Sequence, residues 1–206
     1  MKDRVPEQDQ ALWQSFCRGD RQALDTFYLK HVQPLYNYGR KVAEEQVSVE
    51  DAIQDVFVDL WQRRATLSVP DQPRLYLFRA LRYQIIHQKK KQQKRRSFSA
   101  LTVDTTISTA SPEQDIVIRQ SADLQYEVLR KVIKKLPVRQ REIISLHFFE
   151  KLSCDEIGTI MQLQPQSVYN LLHRAITHLK KTLPLQLKAV EWLIVVLSFA
   201  SQLQAA

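Results

Sequence analysis

The sequence predicts an all-α protein, built as two small helical domains joined by a flexible linker. Apolar residues recur at helical spacing through most of the chain, which is the mark of amphipathic helices. Only three glycines occur in 206 residues, and hairpin dipeptides such as Asn-Gly are absent, so β-hairpins would lack their usual turns. From Ser97 to Pro112 the stretch SFSALTVDTTISTASP is dominated by Ser and Thr and loses all periodicity, as a boundary between folded units does. The first domain is placed at 8–96, the linker at 97–122, the second domain at 123–183 and an apolar tail at 184–206.

In the first domain Leu12, Trp13, Phe16, Leu24, Phe27, Tyr28, Val32, Leu35 and Tyr38 follow helical spacing and read as core. Pro34 is expected to kink or divide the second helix. Ser48 followed by Asp51 reads as a capping box opening a third helix. Ala52, Ile53, Val56, Phe57, Leu60 and Trp61 form its buried side, while Asp51, Asp55 and Asp59 recur at i, i+4, i+8 along one exposed face. An acidic row of this kind is open to three readings: a solvated helix face, a hard-cation site or a surface for docking a protein. Residues 63–73 hold two prolines and read as a loop.

The following helix buries Leu77, Phe78, Leu81 and Ile85 and sets Arg79, Arg82 and Tyr83 on another side. Guanidinium groups beside an aromatic ring suit single-stranded DNA, the cations meeting phosphates and the ring stacking on bases. Lys89 and Lys90 begin a run, 88–96, that carries six positive charges and no negative one. At the end of a DNA-facing helix such a run fits duplex phosphates, each neutralised phosphate adding roughly 0.9 to the salt slope of binding.

The second domain contains LPVRQREIISLHFFEKLSCDEIGTIMQLQPQSVYNLLHRAITHLKK, from Leu136 to Lys181. Pro137 opens its first helix, with Ile143, Ile144, Leu146 and Phe148 as the apolar stripe. Ser153 and Glu156 form a second capping box. Residues 162–164 make a turn and Pro165 opens the last helix. That helix buries Val168, Leu171, Leu172, Ala175, Ile176 and Leu179. Its other side carries Gln166, Ser167, Tyr169, Asn170, His173 and Arg174. A short helix, a tight turn and a helix rich in amides near its start describe a helix-turn-helix, whose second helix reads the major groove. Asn and Gln pair with adenine there, and Arg with guanine.

The formal net charge is +8. The first 87 residues balance, so the positive charge sits in the 88–96 run and the helix-turn-helix half, as a nucleic-acid footprint does. Cys17 and Cys154 are far apart, fit a reducing compartment and read as buried small apolar groups. The N-terminus lacks an apolar signal core, and a cytoplasmic location is expected. With no phosphate loop, catalytic triad or metal-ligand cluster in the sequence, no catalysis, cofactor, metal or small-molecule substrate is expected. Ala189–Ala200 is strongly apolar but shorter than the about 20 residues needed to span a bilayer. It reads as a helix packed on the second domain or on a partner.

Two stretches resemble the sigma-70 family of RNA polymerase sigma factors, in particular its small extracytoplasmic-function group. In the second domain LP-x-x-x-REII-x-L, LS-x-x-EI and SVYNLLHRA-x-x-x-LKK match region 4 in order and spacing. In the first, DAIQDVFVDLW resembles region 2.2 and the helix from Arg74 to His87 resembles region 2.3–2.4. The resemblance implies a sigma factor that joins RNA polymerase core, on the clamp helices of the largest subunit and the flap, and recognises promoter DNA. Asp51, Gln54 and Asp55 would contact core. Arg79, Arg82, Tyr83, Lys89 and Lys90 would serve the −10 element, and the loop 63–73 would capture a flipped base. Gln166, Ser167, Tyr169, Asn170, His173 and Arg174 would read the −35 element. Many members are held inactive by an anti-sigma factor, for which the apolar tail is a candidate surface.

The chain departs from the family at Gln162, where a glycine is usual, and at Tyr169 and Leu171, where basic residues are common. It departs again at Tyr83 and His87, where Asn and Asp are frequent. Three rival readings remain from the residues alone. One is a LuxR-type regulator that binds duplex DNA without joining polymerase, and another is a nuclease or hydrolase using Asp51, Asp55 and Asp59. The third is an interaction protein such as an anti-sigma partner.

Overall fold

The computed structural model describes residues 4–43, 47–99 and 132–182, and among these every regular element is helical. The apolar tail expected at 184–206 and most of the linker expected at 97–122 lie outside the described residues.

The first half has four helices: α1 (Arg4–Cys17), α2 (Arg21–Val42), α3 (Val49–Arg63) and α4 (Pro73–Ser99). Asp20 caps α2 by accepting from the N–H groups of Gln22 and Ala23 at 2.9 and 3.2 Å. Pro34 lies inside α2 but does not divide it. Ser48 caps α3 by accepting from the Asp51 N–H at 3.1 Å, yet the carboxylate it bonds is that of Glu50, not Asp51. The expected capping box therefore forms only one of its arms. Helix α4 runs through the whole basic stretch and on to Ser99, past the predicted start of the linker.

Trp13, Phe16 and Phe27 are fully buried and meet edge to face or tilted, centroids 4.9 to 6.1 Å apart. Leu35, Tyr38, Ala52, Leu60, Leu77, Phe78 and Leu81 complete this core. Each large apolar side chain so buried contributes roughly 1.5–3 kcal/mol. Leu12, Leu24 and Val32 pack only partly against the core, and Tyr28 is exposed.

The second half begins with a helical turn at 132–135 and continues as α5 (Val138–Ile144), a π-helix (Ser145–Phe149), α6 (Cys154–Met161) and α7 (Pro165–Thr182). Pro137 is the residue before α5 rather than inside it, a shift of one position. The Ser153–Glu156 capping box is complete, with both reciprocal bonds present. Gln162 ends α6 in the left-handed conformation, φ 55°, the place where glycine is favoured. Gly158 lets the turn fold back closely, because a Cβ there would stand 2.9 Å from the Leu163 carbonyl oxygen.

The halves pack on one another. Helix α2 lies against α5, α4 lies against α6, and their buried residues form one continuous apolar cluster. Of the stripe predicted for the first helix of the second half, Ile143, Ile144 and Leu146 are buried and Phe148 is partly so.

Candidate nucleic-acid interface

Helix α7 packs on α5 and α6 through Val168, Leu171, Leu172 and Ala175, all buried. Gln166, Ser167, Tyr169, Asn170, His173 and Arg174 are all exposed on its other side. Within this face Gln166 donates to the Asn170 side chain at 3.4 Å, and Arg174 donates to the Asn170 carbonyl at 3.3 Å. The six residues predicted as a reading surface thus stand together. Leu171 is core, which explains why no basic residue occupies it. Cys154 and Cys17 are half-buried rather than fully buried. Burial pushes both thiols above their ordinary pKa, and the Tyr169 hydroxyl acts against this at Cys154.

On α4, Arg79 and Tyr83 lie along one outward face, and Tyr83 is 68% exposed. The Tyr83 ring stacks on His87 one turn later, centroids 6.0 Å apart and planes 13° from parallel. Lys90 is exposed and Lys89 half-buried. Arg82 points elsewhere. Its Nε donates to the Glu142 carboxylate at 2.7 Å, and the arginine side chain is only 12% exposed. The loop before α4 is held by α1 at its middle and near its end, with Trp13 Nε1 donating to the Ser68 carbonyl at 3.2 Å and Gln10 to the Asp71 carbonyl at 2.9 Å.

The acidic row on α3 does not act as one face. Asp51 is exposed at the helix start, Asp55 accepts from Gln88 of α4 at 3.2 Å, and Asp59 pairs with Arg63 at 3.2 Å. Gln54 instead lines a groove of 730 Å³ between α2 and α3, with Tyr28, Val32, Tyr36, Phe57 and Trp61. Trp61, expected in the core, forms part of this groove and carries the Arg64 guanidinium 4.3 Å above its ring. Apolar walls with a few amides and hydroxyls at the edge suit a protein segment.

Sequence reasoning missed Glu142, Glu150 and Tyr38 as a polar junction between the halves. Tyr38 OH donates to the same Glu142 oxygen as Arg82, also at 2.7 Å. Burial, with the Glu142 charge beside it, pushes the Tyr38 phenol well above its usual pKa. Arg74 of α4 donates to the Glu150 carboxylate at 2.8 Å. Arg141 donates to the Lys41 carbonyl at 2.5 Å, and the Lys41 ammonium lies 3.5 Å from the Phe149 ring centroid. The sequence signal was thin: Glu142 stands beside an isoleucine pair, where a charged residue ordinarily marks the solvent side.

A helix-turn-helix with an exposed amide-rich second helix, beside a long basic helix, defines a DNA-binding protein. Comparison with known families extends this. The family described as Sigma-70 region 2 matches residues 27–95, and Sigma-70, region 4 matches residues 126–179. Together the two matches take in more than half of the chain. RNA polymerase sigma factor YlaC of Bacillus subtilis is 24% identical over 79% of this chain and 93% of its own length. The RNA polymerase sigma-H factor of Pseudomonas aeruginosa is 25% identical over 86% and 94%. Among solved structures, the sigma factor RpoE of Bartonella quintana, in complex with the anti-sigma factor NepR, shares the fold with a TM-score of 0.58. The identity is 18%, covering 77% of this chain and 94% of that one. CnrH, in complex with the cytosolic domain of CnrY, gives a TM-score of 0.57 at 22% identity, over 84% and 96%. The chain belongs to the sigma-70 family of RNA polymerase sigma factors, in its extracytoplasmic-function group, and is a transcription initiation factor. This excludes the LuxR-type reading, which the helix-turn-helix alone had allowed. No described helix is long and apolar enough to cross a membrane.

Proposed function

We propose a division of labour within this sigma factor. The groove between α2 and α3 receives the clamp helices of the core polymerase, with Gln54 lining it and Asp51 and Asp55 contacting core from the exposed surface of α3. Charged and hydrogen-bonding groups on such a surface favour specificity and release over raw affinity. The second half contacts the flap. Arg79, Arg82, Tyr83, Lys89 and Lys90 of α4 serve the −10 element, with the loop 63–73 capturing a base. Helix α7 reads the −35 element through Gln166, Ser167, Tyr169, Asn170, His173 and Arg174. An anti-sigma factor is a further partner, in keeping with the relatives solved in such complexes, and the protein works in the cytoplasm.

The observation that carries this reading is the two-sided character of α7. On one side Val168, Leu171, Leu172 and Ala175 are buried and Ile176 and Leu179, expected in the core, are partly so, while the other side presents six polar or aromatic side chains together toward the start of the helix, where major-groove contacts are made. The test is to add the purified chain to purified core polymerase and map transcription starts on genomic DNA. A set of new starts sharing upstream −35 and −10 sequences is expected. Start sites identical to those of core alone would overturn it.

A further inference from the structure

We infer, on the reading of the loop 63–73 as the segment that captures a −10 base, that helix α1 is the template of that loop. Gln10 and Trp13 are positioning residues for the captured base.

Residues 67–71 belong to no regular element, and a backbone without one must find its hydrogen bonds elsewhere. Three side chains of α1 supply them. Gln10 Nε2 donates to the Asp71 carbonyl at 2.9 Å and Trp13 Nε1 to the Ser68 carbonyl at 3.2 Å, while the Cys17 thiol stands 4.0 Å from the Leu67 carbonyl. The three donors sit at i, i+3 and i+7, one stripe of a helix. Among the described residues, 67–71 make no other backbone hydrogen bond.

Control runs from helix to loop. Trp13 is fully buried, and Phe16, Phe27 and Tyr76 meet its ring at centroid distances of 4.9, 5.8 and 5.1 Å. Its Nε1 therefore has one place to be. Beside Gln10, the buried Asp9 pairs with Lys30 and His31 of α2. Both donors thus belong to a helix fixed by the core, and the loop takes its shape from them.

A loop held inward by its carbonyls keeps other groups for a ligand. The side chains of Ser68, Val69, Asp71 and Gln72 are exposed, and Val69 offers a bare apolar contact at 40% exposure. An unstacked base presents an apolar face and a polar edge, which such a surface can meet. Drawing a base out of its stack is costly, and a loop that had also to order itself would add to the cost. Pro70 and Pro73 restrict the backbone on their own, and α1 removes the remaining freedom.

The test uses the full chain joined to core polymerase and a pool of short single DNA strands, randomised at the centre between oligo(dT) flanks. Bound strands are sequenced, and the enrichment of the favoured base is read at each position. Val69→Ser marks the captured position, because it should flatten the preference there. Gln10→Glu keeps the length of the side chain but puts an acceptor where the donor was. It should lower the enrichment at that same position at least about threefold, the scale of one hydrogen bond. The other positions, the affinity for core and the circular dichroism should stay at the parent's values. Gln10→Ala should behave alike, which assigns the loss to the missing donor and not to the added charge. An unchanged preference at the marked position in both Gln10 variants would overturn the template. So would an equal loss at every position, which is what a general loosening of the fold gives. If Val69→Ser and Asp71→Ala both leave every position as in the parent, the failure lies in the base-capturing reading of the loop, and the template falls with it.

Discussion

The Gln88 amide on α4 donates to the Asp55 carboxylate on α3 across 3.2 Å. That bond turns Asp55 toward a neighbouring helix, while Gln54, one position earlier, lines the groove between α2 and α3. The two residues should therefore differ in a core-binding assay. Gln54→Ala and Asp51→Ala should each weaken affinity for core polymerase by about 1–2 kcal/mol. Asp55→Ala alone should cost less than about 0.5 kcal/mol, as an exposed polar contact does. A fluorescence titration with labelled core would decide, and losses of equal size at Gln54 and Asp55 would count against the groove.

The Asn170 side chain accepts from Gln166 on the same helix face at 3.4 Å, while Arg174 donates only to the Asn170 backbone carbonyl. Duplex DNA has only to replace that one weak surface bond at the Asn170 amide. Asn170→Ala should cost about 1–3 kcal/mol on a cognate −35 duplex and relax discrimination at one base pair. Binding measured over duplexes altered singly across the −35 element checks this, and a uniform loss at every duplex would assign Asn170 to backbone contact instead.

The turn of the helix-turn-helix sets two local preferences against each other. Gln162 holds a left-handed φ of 55°, which costs a non-glycine residue roughly 1 kcal/mol. Gln162→Gly should raise stability by about 0.5 kcal/mol after the added freedom of the unfolded chain is counted. Gly158→Ala should act oppositely. Alanine is the better helix former by about 1 kcal/mol, but its Cβ would stand 2.9 Å from the Leu163 carbonyl, a backbone atom that cannot swing aside. A net loss of about 1–2 kcal/mol is expected. Urea unfolding of both variants measures it, and a more stable Gly158→Ala chain would show that the turn has slack.

Asp9 is buried and pairs with Lys30 at 2.7 Å and His31 at 3.1 Å. Burial alone would raise its pKa, but the hydrogen bonds and charges of His31 and Lys30 outweigh it and hold the carboxyl below its ordinary 3.8. A carboxyl depressed in the folded state contributes stability above its unfolded value, and that contribution is lost as pH falls through the folded value. Asp9→Asn should therefore be less stable than the parent at about pH 5, and the gap should narrow toward about pH 3. Urea midpoints at the two pH values test it; a gap that stays constant would mean Asp9 acts by shape and not by charge.

Much of this was legible in the chain itself. The 3.6-residue periodicity, the Ser153–Glu156 capping box and Pro165 located α6 and α7 because those signals act between residues a few positions apart. The exposed face of α7 was readable for the same reason, since burying one side of a helix leaves the other to solvent. Composition and charge runs sorted the chain into a neutral first part and a basic remainder without any knowledge of packing.

What escaped the sequence depends on residues far apart in it. Nothing near Arg82 signals that its partner is Glu142, sixty positions on, or that Tyr38, more than a hundred positions before Glu142, joins them. Asp51, Asp55 and Asp59 share a helix face by spacing, but Gln88, Arg63 and solvent separate their roles. Local sequence determined which helices form and which side of each is apolar, because those outcomes rest on backbone hydrogen bonds and water within a turn or two. Tertiary structure alone decided which polar groups lose access to water, because that is set by whatever other part of the chain packs over them.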